Sequence, residues 1–192
     1  MAEPGIKEFH KFINEGLREE ILKRYLNFII LSEADLQSHM YQLLSNYLKE
    51  HESKTGLHKV LNKPYLKEIN IHPDIIVFRR NKPWVVMELK EGKKLKELAA
   101  SRDFRRLVKV REHFKQKRYA IRRGYLFHVS RYSSDNIIKT SDSKLPRFLY
   151  EVSVTLGKIL SYEEMKAWEA EFKKWAKYIS NPSKIANKKD TR

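Results

Sequence analysis

The chain has 192 residues, and its 40 lysines and arginines against 24 acidic residues give a formal charge of +16. With 41% hydrophobic residues it is expected to fold around a sizeable core. The absence of cysteine excludes disulfide scaffolds, thiolate zinc sites and cysteine nucleophiles. No apolar run approaches a membrane span and the first residues lack a signal core, so we expect a soluble, cytoplasmic protein. The excess positive charge indicates a polyanionic partner.

Two amphipathic helices are predicted at the start of the chain. Apolar residues recur every three or four positions over 6–30, which predicts the first helix. Ser32 then has the position of an N-cap, with Asp35 three residues further on as its acidic partner. The second helix is therefore expected over 33–50, and the polar residues 51–56 are expected to form a loop.

The middle of the chain alternates strands with one further helix. In chain order we expect a weak strand within 57–71, strands over 74–78 and 84–90, a helix over about 95–117, and strands over 125–129 and 148–156. A turn at 79–83 joins the second and third strands, and Gly92 ends the third. The polar residues 130–146 are expected to be a loop.

A last amphipathic helix is expected after a capping box formed by Ser161 and Glu164. Its apolar stripe contains two tryptophans, and it suits either packing on the sheet or a homodimer contact. Asn181 and Pro182 end the helix. We therefore predict one domain over 1–180 and a basic, disordered tail over 181–192.

The strongest chemical signal lies between residues 73 and 90. Asp74, preceded by a proline, opens one apolar strand, and Glu88-Leu89-Lys90 closes the next strand after a short hairpin. Side chains two residues apart on a strand share a face, so Glu88 and Lys90 can share a pocket that Asp74 reaches from the neighbouring strand. A second Glu-x-Lys at Glu91 lies past the strand end and out of phase. Two carboxylates and an ammonium group in one pocket suit metal-assisted cleavage of phosphodiesters.

This arrangement resembles the motif of the PD-(D/E)xK nuclease superfamily. The resemblance rests on those residues and their strand–hairpin–strand setting, and it extends loosely over 32–130. It implies an α/β protein with a restriction-endonuclease-like core, in which helices flank a mixed central sheet, here with extra N- and C-terminal helices. It also implies that Asp74, Glu88 and the carbonyl of Leu89 bind Mg²⁺ or Mn²⁺. Lys90 would then orient or help deprotonate the attacking water, and cleavage would leave 5′-phosphate ends.

Further candidates surround this motif. The resemblance gives Glu33 the role of an additional catalytic acid on the helix before the sheet; the alternative is a first-turn acid that complements the helix dipole. Gln37, one turn later, is a weaker candidate for a supporting role. His72 could touch phosphate or metal, although a lone histidine at a strand edge is more often incidental, and His128 is expected in the core. Burial beside a cation could lower the pKa of Lys90, which would suit a base.

Basic residues are concentrated around the motif. Residues 79–131 contain 18 lysines and arginines and five acids, a net charge of +13. The residues expected to contact nucleic acid are Lys93, Lys94, Lys96, Arg102, Arg105, Arg106 and Lys109. Such a field attracts phosphates with strong salt dependence and without sequence information. The alternative is an ordinary solvated helix face.

These observations predict a metal-dependent endonuclease that acts on DNA. RNA is an alternative substrate because the same site can cleave RNA, and nothing in the sequence separates the two. A non-catalytic nucleic-acid-binding protein of the same fold is a further alternative, as is a peripheral membrane protein that uses the basic surface. The membrane alternative is less suitable because the apolar helix faces are expected to be buried in the core.

Overall fold

A five-stranded mixed sheet organises the protein. The computed structural model describes residues 5–51, 58–92, 97–131 and 146–180. The strands are β1 (His58–Asn62), β2 (Ile75–Arg79), β3 (Lys82–Gly92), β4 (Arg123–Ser130) and β5 (Leu149–Thr155), and they lie in the sheet in that order. β1, β2 and β3 pair antiparallel, whereas β3, β4 and β5 pair parallel. The fold is thus α/β with a mixed sheet, as the sequence predicts.

Helices cover both faces of this sheet. They are α1 (Ile6–Phe12), α2 (Arg18–Leu26), α3 (Glu33–Glu50), α4 (Glu97–Gln116) and α5 (Tyr162–Ser180), and a π-helical turn at Ile13–Leu17 joins α1 to α2. The predicted helix over 6–30 is therefore too long. It ends at Leu26 because Phe28 takes a left-handed backbone conformation, with φ of 58°, and packs on Trp168 at 5.5 Å between ring centroids. In the described residues no helix is long and apolar enough to cross a membrane.

The predicted start of α3 is confirmed in detail. The Ser32 hydroxyl accepts a hydrogen bond from the Asp35 backbone N–H at 3.2 Å. The Asp35 carboxylate accepts in return from the Ser32 hydroxyl at 2.9 Å and from the Leu31 N–H at 3.1 Å. These bonds satisfy donors that a helix start otherwise leaves unpaired. They also fix the direction in which α3 leaves the loop.

A two-residue turn joins β2 to β3. Arg80 and Asn81 both have positive φ, 51° and 59°, which is the backbone of a tight hairpin turn matched to the twist of the strands. β3 is consequently longer than the predicted strand over 84–90, whereas β2 is shifted by one residue from the predicted 74–78 and keeps its length. The predicted five-residue turn is too wide. Between Val77 and Phe78 the pairing shifts by one residue, so that Trp84 is extra on β3.

The alternation of side chains along β3 separates two cores. Met87 and Leu89 join the larger core, which α1, α2, α3 and α5 cover. Val86 joins a smaller core with Leu107 and Val110 of α4. Glu88, two residues after Val86, therefore lies on the α4 side of the sheet, in the second half of the strand.

The apolar stripe of α5 packs within the chain. Met165, Trp168 and Phe172 are buried in the larger core. The Trp168 indole N–H donates to the Leu26 carbonyl at 3.2 Å, so α5 is attached to the end of α2. Trp175 stays 46% exposed at the far end of the stripe. The predicted tail over 181–192 lies outside the described residues, as do residues 132–145 of the predicted loop.

Candidate active site

Asp74 lies at the start of β2, where neighbouring elements hold it from two sides. Its carboxylate accepts a hydrogen bond from the Leu89 backbone N–H at 2.7 Å. The Gln37 amide of α3 donates to the Asp74 carbonyl at 3.1 Å and to the Asn62 side chain of β1 at 2.7 Å. The supporting role considered for Gln37 thus corresponds to an observed contact. Burial raises the pKa of the Asp74 carboxyl, although the Leu89 N–H opposes this effect.

Glu88 is a fully buried acid of the site with a strongly raised pKa. Continuing the β2–β3 register by one residue places Glu88 opposite Asp74, and directly opposed residues share a face. The Glu88 side chain is fully buried, and neither of its oxygens accepts a hydrogen bond from a described residue. Arg106 of α4 approaches one of them at 3.0 Å as an ion pair. Burial and the nearby Asp74 charge raise the pKa of Glu88 to about 9, despite the opposing effect of Arg106.

Lys90 bridges the two helix layers at the end of β3. Its ammonium group lies 3.3 Å from the Glu33 carboxylate of α3 and 3.6 Å from the Asp103 carboxylate of α4. Burial lowers the pKa of Lys90, but the charges of Asp103 and Glu33 outweigh that effect and raise it. The lowered pKa considered from the sequence is therefore not found in the protein alone. Lys90 is held as a cation.

Glu33 belongs to this group of residues. The capping role falls to Asp35, which leaves the Glu33 carboxylate to accept hydrogen bonds from Lys90 through both oxygens, each at 3.3 Å. Its side chain remains 47% exposed. The structure thus brings together the four predicted site residues Asp74, Glu88, Lys90 and Glu33.

Asp103 is a site residue that the sequence analysis missed. It is fully buried on α4, and neither carboxylate oxygen accepts a hydrogen bond from a described residue. Its charge is compensated by Lys90 at 3.6 Å and by Arg106 at 3.6 Å. The available signal was its spacing, because Asp103 precedes Leu107 and Val110 by four and seven positions and so lies on the apolar face of the helix. A charged residue on such a face needs a partner from elsewhere in the fold.

The predicted nucleic-acid contacts have different positions. Arg106 is half-buried among the acids, and besides pairing with Glu88 it donates a hydrogen bond to the His72 carbonyl. Its place is thus inside the site rather than on an open basic surface. Arg102, Arg105 and Lys109 are exposed on α4, as expected for contacts with a large ligand. Lys93, Lys94 and Lys96 lie outside the described residues.

The two candidate histidines are separated by the fold. The exposed ring of His72 stacks on Tyr65, with ring centroids 4.5 Å apart and planes 17° from parallel. His128 is fully buried in β4, and its Nε2 lies 2.8 Å from the Glu151 carboxylate of β5. His128 is therefore a core residue, as expected, while His72 lies two residues before Asp74 in sequence and faces solvent.

The donor set suits a hard divalent cation. Within the described ranges no three histidine or acidic side chains form a ready metal cluster. Asp74 and Glu88 nevertheless supply two carboxylates on one face, and Mg²⁺ usually takes one or two from the protein while waters and phosphate complete its shell. The oxygens of Glu88, which accept no described hydrogen bond, have the unused capacity that such a ligand needs. No described contact tests the carbonyl of Leu89.

Comparison with known proteins finds no similar protein. No family model matches the chain, and neither a curated protein nor a solved structure matches it.

Proposed function

We propose that the protein is a metal-dependent nuclease of the PD-(D/E)xK kind, with a restriction-endonuclease-like fold, that cleaves DNA internally. One observation carries the proposal: the fully buried Glu88 carboxylate, which has Arg106 as an ion-pair partner but accepts no described hydrogen bond, faces Asp74. Lys90 follows two residues later on the same strand. An unsatisfied buried acid is unfavourable for folding, and such sites are found where chemistry requires them.

Each side chain of the site has a role in this proposal. Asp74 and Glu88 would hold Mg²⁺ or Mn²⁺, which when bound supplies Lewis-acid activation of water and neutralises phosphate charge. Lys90, kept protonated by Glu33 and Asp103, would orient the attacking water and stabilise the negative charge that develops on the phosphate. Its raised pKa favours this electrostatic role over that of a general base.

Arg106 would bind the scissile phosphate. Its guanidinium now compensates part of the charge of Glu88. It can exchange that carboxylate for a phosphate oxygen once the charge of Glu88 is compensated in another way, and arginine suits such planar, two-pronged contacts. The exposed Arg102, Arg105 and Lys109 continue the positive surface along the same helix. They would attract the backbone without reading its sequence.

Supercoiled plasmid incubated with the protein and Mg²⁺ or Mn²⁺, beside EDTA, tests the proposal. We expect nicking or linearisation that Asp74→Asn and Glu88→Gln each reduce at least about 100-fold. The matched control is Glu91→Gln, because Glu91 heads the competing Glu-x-Lys but accepts a hydrogen bond from the Tyr25 hydroxyl at 2.5 Å instead. This variant should cleave like wild type.

A parallel incubation with single-stranded and duplex RNA separates the alternatives. Cleavage of RNA alone would make the protein a ribonuclease with the same site. Retardation of plasmid on a gel without cleavage in either metal would indicate a non-catalytic binding protein. Cleavage that survives in both Asp74→Asn and Glu88→Gln would refute the assignment of the site.

A further inference from the structure

A second basic site lies at the opposite end of β3 from Glu88. It is a cavity of about 460 Å³ between the β2–β3 hairpin and the segment that leads from α4 into β4. Five of its nine lining residues are cationic and none is acidic; the cations are Arg79, Arg80, Lys82, Arg118 and Arg122. Cations concentrated in a concave surface create a stronger field than the same charges on a flat surface. The cavity therefore favours an anionic ligand.

Backbone hydrogen bonds make the walls of this cavity rigid. The Arg122 N–H donates to the Trp84 carbonyl at 2.8 Å, which joins one wall to the other. The Tyr119 N–H donates to the Phe114 carbonyl at 2.8 Å and so attaches its loop to the end of α4. The guanidinium of Arg79 lies 5.5 Å from the centre of the Trp84 ring. The backbone that carries these cations, and the guanidinium of Arg79, are thus held in place by the protein itself.

The ligand class follows from these side chains. Arginine presents several donors in a plane that matches phosphate oxygens. Tyr119, 39% exposed in the lining, adds an aromatic surface beside them. Phosphate groups are the shared chemistry, and they could belong to a nucleic-acid backbone or to a small phosphorylated molecule.

The position of α4 favours the backbone. Since β3 rises about 3.3 Å per residue, Lys82 at the cavity and Lys90 at the candidate active site are roughly 27 Å apart along the strand. α4 follows β3 and returns along the sheet, because its first half contacts the active site and its last turn leads to the cavity. Exposed cations on that helix, Arg105 and Lys109 among them, occupy the interval.

We propose that the cavity binds backbone phosphates on one side of the cut, in the same nucleic acid whose scissile bond lies at Glu88. This inference rests on the proposed function. At about 3.4 Å per base pair, the separation of the two sites corresponds to roughly eight base pairs of duplex. A duplex shorter than that can occupy only one of the two sites at a time, whereas a longer one occupies both.

The test is fluorescence anisotropy with labelled hairpin duplexes of 6 and 16 base pairs, in EDTA so that no cleavage occurs. We compare wild type with Lys82→Gln/Arg122→Gln, which removes two exposed cavity cations. The matched control, Lys166→Gln/Lys174→Gln, removes two exposed charges from α5. The cavity variant should bind the long duplex at least about 10-fold more weakly and the short one within about twofold. Its salt dependence on the long duplex should fall by about two ion equivalents.

Three outcomes would overturn the inference. One is an unchanged affinity for the long duplex in the cavity variant, and another is an equal loss on both duplexes. The third outcome combines two results with millimolar pyrophosphate. Pyrophosphate displaces neither duplex, and it quenches Trp84 fluorescence only when the cavity cations are present. Together these results would assign the cavity to a small phosphorylated ligand. Arg118→Gln serves as a second variant if the double variant does not fold. Because binding is measured without metal, the binding result can be interpreted even if the protein does not cleave DNA. If the cavity variant cleaves DNA and binds it as wild type does, the role of the cavity is refuted and the proposed nuclease function is not.

Discussion

Replacing Glu88 by glutamine should stabilise the protein while removing its proposed activity. Folding raises the pKa of Glu88 from 4.5 to about 9, so the folded state favours the protonated acid. For such a group stability is greatest below pH 4.5 and is lost as the pH rises towards 9. At pH 7.5, three pH units above the ordinary pKa, the cost is about 4 kcal/mol at about 1.4 kcal/mol per unit. Glutamine keeps the shape of the side chain and cannot ionise.

Chemical denaturation at several pH values measures this effect. In EDTA, Glu88→Gln should be about 2–4 kcal/mol more stable than wild type at pH 7.5, and the gain should fall below about 1 kcal/mol at pH 5. Glu171→Gln, on the half-exposed surface of α5, is the control and should change stability by less than about 0.5 kcal/mol at either pH. A Glu88→Gln protein that is less stable than wild type at pH 7.5 would refute the reasoning. It would mean that the ion pair with Arg106 stabilises the fold by more than burial of the acid destabilises it.

Three other substitutions test single contacts. Asp103→Asn weakens the hold on Lys90 and should lower the cleavage rate about 10–100-fold with little change in DNA affinity; an unchanged rate would show that Asp103 does not position the lysine. Ser32→Ala should lower the free energy of unfolding, measured in urea, by about 1 kcal/mol, and it should also slow cleavage because Glu33 follows the cap. The control Ser161→Ala should lower the free energy of unfolding by the same amount and leave cleavage unchanged. Gly124→Ala places a methyl group 2.8 Å from a Leu149 side-chain carbon, and should lower the unfolding free energy by about 1–3 kcal/mol unless the core repacks.

Local signals in the sequence predicted much of the fold. The capping residues around Ser32 placed the start of α3 correctly, and the polar residues after 50 placed its end, because a cap and an apolar period are encoded within a few positions. The two apolar strands next to Asp74 and around Glu88 were equally visible, since an acid beside an apolar run is a local pattern. Their ends were not: β2 begins one residue after Asp74, and β3 continues past Lys90 to Gly92, so Glu91 lies within the strand. β1 was only weakly indicated, and of its five residues only Val60 is buried. The predicted helix over 6–30 was too long because Phe28 takes a left-handed backbone conformation. That conformation depends on tertiary packing and leaves no trace in the apolar period of the sequence.

The helix side of the site depends on contacts that no local pattern contains. Asp103 was not singled out and Arg106 was expected to contact nucleic acid, yet both side chains reach β3, where they meet Lys90 and Glu88. The packing of α4 against the sheet determines which of its charged residues face the sheet. The spacing of apolar residues in the sequence identifies only the apolar side of the helix. The pKa of Lys90 was similarly unpredictable, because it depends on two acids from different helices.

The tight turn at Arg80 and Asn81 makes the length of the hairpin a condition for the proposed activity. Side chains on a strand alternate with a period of two. If the two-residue turn is kept, one residue inserted or deleted beside it shifts the register of β3 by one and exchanges the two faces of the strand. Met87 and Leu89 would then face the catalytic pocket, and Glu88 would enter the larger core. Substitutions in this turn should therefore be tolerated far better than a change of its length by a single residue, although the turn lies at the other end of the sheet from the acids.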